Sequence, residues 1–123
     1  MKTETPYTIH NDVKFKALEL IDVQHLQRAT KDQWANQTLC EVNDSVVRLG
    51  VLKGEFHWHK HDNDDELFYV VSGKLYVDTE QSNFELGPNE GVTVPKGVMH
   101  RTRAPEQVVM LMVENAGIQP AGD

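Results

Sequence analysis

From residue 38 onwards, short apolar or alternating runs are separated by turn-forming Gly, Pro, Asn, Asp and Ser. The breaks recur about every 8 to 12 residues, a spacing typical of strands in an all-β domain. The run 108–113 is apolar on both faces, which indicates a strand buried on both sides. These features predict a sandwich or small barrel. The predicted strands are 38–42, 45–53, 56–61, 66–71, 74–78, 91–94, 99–103 and 108–114.

The first 37 residues follow a different pattern. Residues 14–26 show neither a clean period of 3.6 nor strict alternation, and we expect one short helix at 23–28. Residues 1–37 are therefore predicted to be an irregular or helical extension packed on a barrel formed by 38–123. A chain of 123 residues has the usual size of a single domain.

Charge and hydropathy exclude several classes of partner. The chain has 12 Lys and Arg against 19 Asp and Glu, a net charge of −7, whereas a nucleic-acid-binding protein normally presents a basic face. Its longest apolar run, 108–113, is far shorter than the roughly 20 residues that span a bilayer. Cys40 is the single cysteine, so no internal disulfide can form. We expect a cytoplasmic protein that binds neither nucleic acid nor membrane.

Four of the six histidines lie from residue 57 onwards, where His57, His59 and His61 alternate with other residues and His100 follows later. In a strand, alternate side chains point to the same face, so the first three imidazoles would share one space. If 62–65 is a hairpin loop, directly opposed residues also share that face. This hairpin would pair His61 with Glu66, His59 with Phe68 and His57 with Val70.

Imidazole and carboxylate side chains together are ligands for Zn, Fe, Mn, Ni or Co. An ion can be held by neighbours on one strand face, either His57 with His59 or His59 with His61, and the position of Glu66 favours the second pair. His100 is the candidate fourth ligand because it follows a turn that would start a new strand. Any one of these histidines taken alone could instead be an ordinary hydrogen-bonded side chain.

Two motifs in this region resemble the signature motifs of the cupin superfamily, in particular the small single-domain cupins grouped as cupin 2 conserved barrels and with mannose-6-phosphate isomerase. The resemblance covers roughly residues 53–114. It implies a double-stranded β-helix, or jelly-roll, barrel whose mouth holds one divalent transition metal ion on His59, His61, Glu66 and His100. The motifs are His59-x-His61, four residues, Glu66, six residues, Gly73, and then Val94-Pro95-x-Gly97-x-x-His100.

The sequence departs from the family pattern at a few positions. Lys53 stands where the first motif usually has Gly, with Gly54 next to it. Asn89 replaces the Gly that opens the second motif, and Asn also tolerates positive φ. Ala104 replaces a frequent Asn, a change that leaves the metal ligands intact. His57 is additional to the pattern.

Two kinds of function fit such a site. The first is a metalloenzyme that acts on an oxygen-rich small molecule by isomerase-like or dioxygenase-like chemistry, with His57 as the candidate general base. The second is a non-catalytic cupin that senses or carries a small ligand, in which case His57 only makes a hydrogen bond within the barrel. Arg48 is a further candidate contact for an anionic substrate, whereas strand parity turns Arg101 and Arg103 away from the site.

An outward apolar face suggests self-association. Trp58, Leu67, Tyr69 and Val71 point away from the predicted ligands, and an apolar surface of this size needs cover. We therefore expect a homodimer, unless the N-terminal extension covers this face.

Overall fold

Eight strands and one short helix make up the part of the chain that the computed structural model describes, residues 8–30, 34–118 and 122. This composition confirms the predicted mostly β structure and the helix predicted at 23–28. None of the described helical residues forms a segment long and apolar enough to cross a membrane. The elements are β1 (Thr8–His10), α1 (Val23–Ala29), β2 (Trp34–Val42), β3 (Ser45–Glu55), β4 (Glu66–Ser72), β5 (Leu75–Thr79), β6 (Asn83–Leu86), β7 (Gly91–Val94) and β8 (His100–Asn115).

The long strand β8 organises the sheet. The strands pair in the order β1, β2, β3, β8, β4, β7, while β5 pairs with both β8 and β6. The first residues of β8 pair with β5, and the later ones lie between β3 and β4. The pairing of β3 with β8 shifts register between Leu52 and Gly54, and the β8 residues 105–107 at this bulge are exposed.

Several strand predictions need correction. The predicted strands 99–103 and 108–114 are one continuous strand, because the bulge interrupts the register without ending the pairing. Residues 56–61 form no regular strand and make only an isolated bridge between His59 and His100. β2 begins at Trp34, earlier than predicted. β6 was missed because its only buried residue is Leu86, so it carries no apolar alternation.

Side chains alternate across β8 between two apolar clusters, which confirms that the run 108–113 is covered on both faces. Even-numbered residues of β8 join the inner cluster inside the barrel, and odd-numbered ones join an outer cluster. The inner cluster is Leu52, Phe56, Phe68, Val70, Leu75, Val77, Leu86, Val94, Ala104, Val108, Met110 and Met112. The outer cluster is Leu39, Leu49, Val51 and Val109, with Phe15, Ile21, Val23, Leu26, Val47 and Leu111 packed against them.

The N-terminal residues reach the outer cluster through a short, capped helix. The side chain of Asp22 accepts a hydrogen bond from the backbone N–H of His25 at 3.1 Å, which satisfies an otherwise unpaired donor at the helix start. α1 buries no residue completely, but Val23 and Leu26 pack on the sheet. The helix therefore depends on this packing, since seven residues are too few for a stable isolated helix.

Candidate metal centre

Backbone hydrogen bonds hold the histidine-rich segment against β8 and the turn that precedes it. His59 and His100 exchange two N–H···O bonds, at 2.9 and 2.8 Å. The N–H of Gly97, which has φ of +80°, donates to the carbonyl of His61 at 2.8 Å. The predicted hairpin between 56–61 and β4 is therefore wrong, because β4 pairs with β7 and β8 instead.

The structure nevertheless brings together the four residues predicted as ligands. Glu66 is the first residue of β4, and its Oε1 lies 3.2 Å from Nε2 of His61 and 3.5 Å from Nε2 of His100. One ligand atom from each of these residues and His59 lies within 4.8 Å of the others, and all four residues are buried. An ion bound at about 2.1 Å from each ligand keeps opposite ligands about 4.2 Å apart, so the spacing is close to what a metal requires.

Two imidazoles present their Nε2 atoms to this cluster. Nδ1 of His59 donates to the carbonyl of His57 at 2.9 Å, and Nδ1 of His100 donates to the carbonyl of Val98 at 3.0 Å. These bonds leave the Nε2 lone pair of each ring available, as in metal-ligating histidines. Nε2 of His100 and Oε1 of Glu66 are buried and make no hydrogen bond of good geometry with the described residues. A metal would satisfy both atoms.

The protonation states also suit a metal. Burial lowers the pKa of the His59 imidazole to about 4, so it is neutral near pH 7. Burial raises the pKa of Glu66, but the neighbouring imidazoles of His100 and His61 outweigh this effect and hold the pKa well below its usual range. The site thus has a neutral imidazole and an ionised carboxylate, the forms that bind metals.

A second carboxylate, Glu114, lies beside Glu66 on β8. Burial, followed by the charge of Glu66, raises the pKa of Glu114 to about 9. Its Oε2 accepts a hydrogen bond of 2.8 Å from Nε of Arg48. Arg48, expected as a contact for an anionic substrate, is buried and also donates to Thr38 and Asn11. Glu114 was missed, although its parity with Met112 in β8 indicates that it faces inward.

A small cavity of about 20 Å³ adjoins His59 and Glu66. Its polar lining also includes Asn36 and Thr102, which sequence reasoning missed. Asn36 lies in the region that was predicted to be an extension, where no apolar alternation marks a strand. The apolar lining consists of Leu52, Phe56, Phe68, Met110 and Met112.

His57 lies outside this cavity. Its side chain is exposed, its ring stacks on Phe56 with centroids 4.4 Å apart, and its centroid is 5.4 Å from that of His59. Gly122 lies against the side chain of His59, because a Cβ on it would stand 2.6 Å from Cβ of His59.

Comparisons with known proteins match this architecture. A family model described as "Cupin domain" matches residues 46–114. The chain is 30% identical to the crystal structure of a cupin-2 domain containing protein from Shewanella frigidimarina, with a TM-score of 0.73, covering 78% of this chain and 94% of that one. The predicted double-stranded β-helix fold is therefore confirmed.

Two curated proteins are also similar to the chain. It is 43% identical over 86 residues to the uncharacterized protein YdbB of Bacillus subtilis, covering 69% of this chain and 76% of that protein. It is 23% identical over 99 residues to an acireductone dioxygenase of Bacillus velezensis, covering 76% of this chain but only 56% of that protein.

Proposed function

Because the chain belongs to the cupin family, we propose that it holds one divalent transition metal and acts there as a metalloenzyme on a small oxygen-rich molecule. The observation that carries this proposal is the buried cluster of His59, His61, Glu66 and His100. Three imidazoles and one carboxylate suit Zn, Fe, Mn, Ni or Co. A metal bound there would supply a Lewis acid that polarises a substrate oxygen.

The reaction class is dioxygenase-like or isomerase-like. The similarity to an acireductone dioxygenase supports the first class. Within the site, Phe56 and Phe68 exclude water from one side of the cluster, while Glu66 contributes its negative charge. The apolar wall suits chemistry in which a bound metal stabilises negative charge that develops on a substrate oxygen, because that attraction is stronger away from water.

His57 is the proposed general base. Its exposed ring lies next to that of His59, at the rim of the cluster. From this position it can take a proton from a substrate that protrudes from the site.

A non-catalytic role is the second candidate, and the lining of the cavity favours it. Among the described residues that line the cavity, the titratable ones are His59 and Glu66, both proposed as ligands. A site that senses or carries a small molecule needs no further proton-transfer group. The two candidates differ in whether His57 affects turnover.

The test is metal content after purification without added metal and after incubation with each candidate ion. We expect about one ion per chain, and a loss of affinity of more than about 100-fold in Glu66→Ala and His100→Ala, because each removes a ligand. His25→Ala on α1 is the matched control, since His25 is exposed and far from the cluster in sequence.

A variant of His57 separates the catalytic role from the non-catalytic one. His57→Gln should keep the metal content of the wild type, and a screen with dioxygen uptake as readout should then show whether it loses turnover. Full turnover in His57→Gln would remove it as the base. Unchanged metal content in both Glu66→Ala and His100→Ala would refute the metal assignment.

A further inference from the structure

The cavity beside the cluster is chemically selective. Its wall is mainly apolar and includes Phe68, Met110 and Met112, and no Lys or Arg is among the described residues that line it. A phosphate would be buried there without a Lys or Arg counter-charge, and a chain of hydroxyl groups would lose water while finding few partners. The wall therefore disfavours sugars and sugar phosphates.

Apart from Glu66, which is a proposed metal ligand, one further polar group in this wall lacks a hydrogen-bond partner among the described residues. Asn36 is only 8% exposed, and its Oδ1 makes no hydrogen bond with any described residue. Buried amide oxygens are nearly always hydrogen-bonded, and leaving one unpaired is unfavourable. Since Asn36 lines the cavity, a ligand that enters the cavity can supply the missing donor.

The strand opposite Asn36 carries a glycine whose side-chain position is filled by two flexible methionine ends. In the register of β2 and β3, Asn36 pairs with Gly50, which in turn pairs with Met110 of β8. A Cβ at Gly50 would lie 3.1 Å from Cε of Met110 and 3.3 Å from Cε of Met112. The flexible ends of the two methionines thus cover the position of a missing side chain, and they can move to fit an apolar group.

We propose that this cavity is the subsite for the non-chelating end of the ligand, a short, uncharged and mainly apolar group with one hydrogen-bond donor for Oδ1 of Asn36. The ligand class is a small aliphatic molecule that binds the metal through oxygen at its other end. The inference rests on the proposed function, because the chelating end needs a metal on the four-residue cluster.

The volume of the cavity limits the size of the ligand group that can occupy it. A water molecule needs about 10–15 Å³ of such space, so a cavity of about 20 Å³ holds one or two heavy atoms before its wall must move. A methyl or ethyl group fits, and a longer chain must displace the methionine ends.

The test uses the full chain loaded with Co²⁺, whose visible absorption reports ligand exchange, titrated with hydroxamic acids that differ only in their side group. From formo- to aceto- to propionohydroxamate we expect affinity to rise about fourfold per carbon, the worth of one buried methylene. Butyrohydroxamate should gain nothing more. A hydroxamate with a dihydroxylated chain should bind about tenfold more weakly than propionohydroxamate, because its hydroxyls lose water without partners.

A variant pair tests Asn36 directly. Glycolohydroxamate replaces the terminal methyl of propionohydroxamate by a hydroxyl, and the wild type should bind the two within about threefold because Asn36 accepts the hydroxyl proton. Asn36→Leu should shift this ratio about tenfold towards propionohydroxamate, and Asn83→Leu on exposed β6 should leave it unchanged. Should Asn36→Leu not fold, Asn36→Ala should show the same direction because alanine offers no side-chain acceptor, and the wild-type series remains decisive.

The outcomes are distinct. Affinities that do not depend on the side group, or a preference for the dihydroxylated probe, would overturn the subsite while leaving the metal centre intact. Absence of Co²⁺ uptake would overturn the proposed function, and the subsite with it.

Discussion

Charge at the centre of the barrel is carried by a short line of buried residues. Arg48 donates a hydrogen bond to Glu114, and Glu114 lies beside Glu66 in the sheet. Glu66 in turn contacts the imidazoles of His61 and His100. With the pKa of Glu114 raised and that of Glu66 lowered, the two carboxyl groups carry one negative charge near pH 7, which offsets the positive charge of Arg48. The arrangement explains how an arginine can be buried so close to the candidate metal centre.

The stability of the metal-free protein should depend on pH through the side chains of His59 and Glu114. Between pH 4 and 6.5 the unfolded state binds a proton at His59 that the folded state does not, so stability rises with pH. Between pH 4.5 and 9 the folded state keeps a proton on Glu114 that the unfolded state loses, so stability falls. The two effects oppose each other up to pH 6.5, and above it only the second acts.

We therefore expect the free energy of unfolding, measured with urea in a chelator, to fall from pH 6.5 to pH 9 by up to about 1.4 kcal/mol per pH unit. Glu114→Gln should remove this fall, because an amide does not titrate. A wild type whose stability increases over the same range would contradict the assignment.

The elements around the site show what sequence reasoning could and could not reach. The family motifs were enough to identify the cluster of His59, His61, Glu66 and His100. Such motifs specify which residues come together, but not the strand pairing that brings them together. The hairpin used to explain their meeting was wrong, since pairing was sought between neighbours in sequence, whereas His59 bridges His100. Such a long-range partner leaves no local signal.

The sheet face to which a side chain points was easier to predict than the strand with which its own strand pairs. Strand parity correctly turned Arg101 and Arg103 away from the site, and both donate to Asp78. Strand parity could not be applied to Asn36, because no strand was predicted there. Asn89, expected to replace glycine in a turn, does have a positive φ of 68°.

The turn between β4 and β5 should be intolerant of any side chain. Gly73 has φ of +87°, and a Cβ on it would lie 2.6 Å from the carbonyl oxygen of Gln107 at the β8 bulge. Gly97 has a similar φ of +80° but nothing within 4 Å of such a Cβ. We expect Gly97→Ala to cost about 1–2 kcal/mol from backbone strain alone, and Gly73→Ala to cost about 2 kcal/mol more.

Urea unfolding of the two glycine variants measures this difference. Because the backbone strain is common to both, the comparison isolates the contact between the turn and the bulge. Equal losses of stability would mean that the turn can move away from β8 at little cost.

On the scale of the whole molecule, the outer surface of the sheet is covered only in part. Phe15, Ile21 and the helix α1 cover the outer cluster on β2, β3 and β8. On β4, Tyr69 and Val71 stay 36% and 37% exposed. Trp58, predicted to belong to the same face, is 42% exposed. The Cζ of Arg101 lies over the indole ring of Trp58, 5.2 Å from the ring centroid.

A second copy of the chain is the proposed cover for β4. We expect light scattering at tens of micromolar, roughly the range in which small oligomers persist, to give the mass of a dimer. Tyr69→Asp should shift the protein towards the monomer, because it places a charge in the contact. Phe84→Asp is the matched control, an equally exposed aromatic on β6. A wild-type monomer under these conditions would contradict the proposal.

The dependence of the candidate metal centre on β8 also bears on the rates of folding and unfolding. β8 carries His100 at its first residue and pairs residues as distant in sequence as Ser45 and Asn115. Such non-local pairing forms slowly during folding. The donor set is therefore complete only after most of the sheet has assembled, and a ligand that binds so late in folding slows unfolding far more than it speeds folding. A metal bound here would chiefly lengthen the lifetime of the native state.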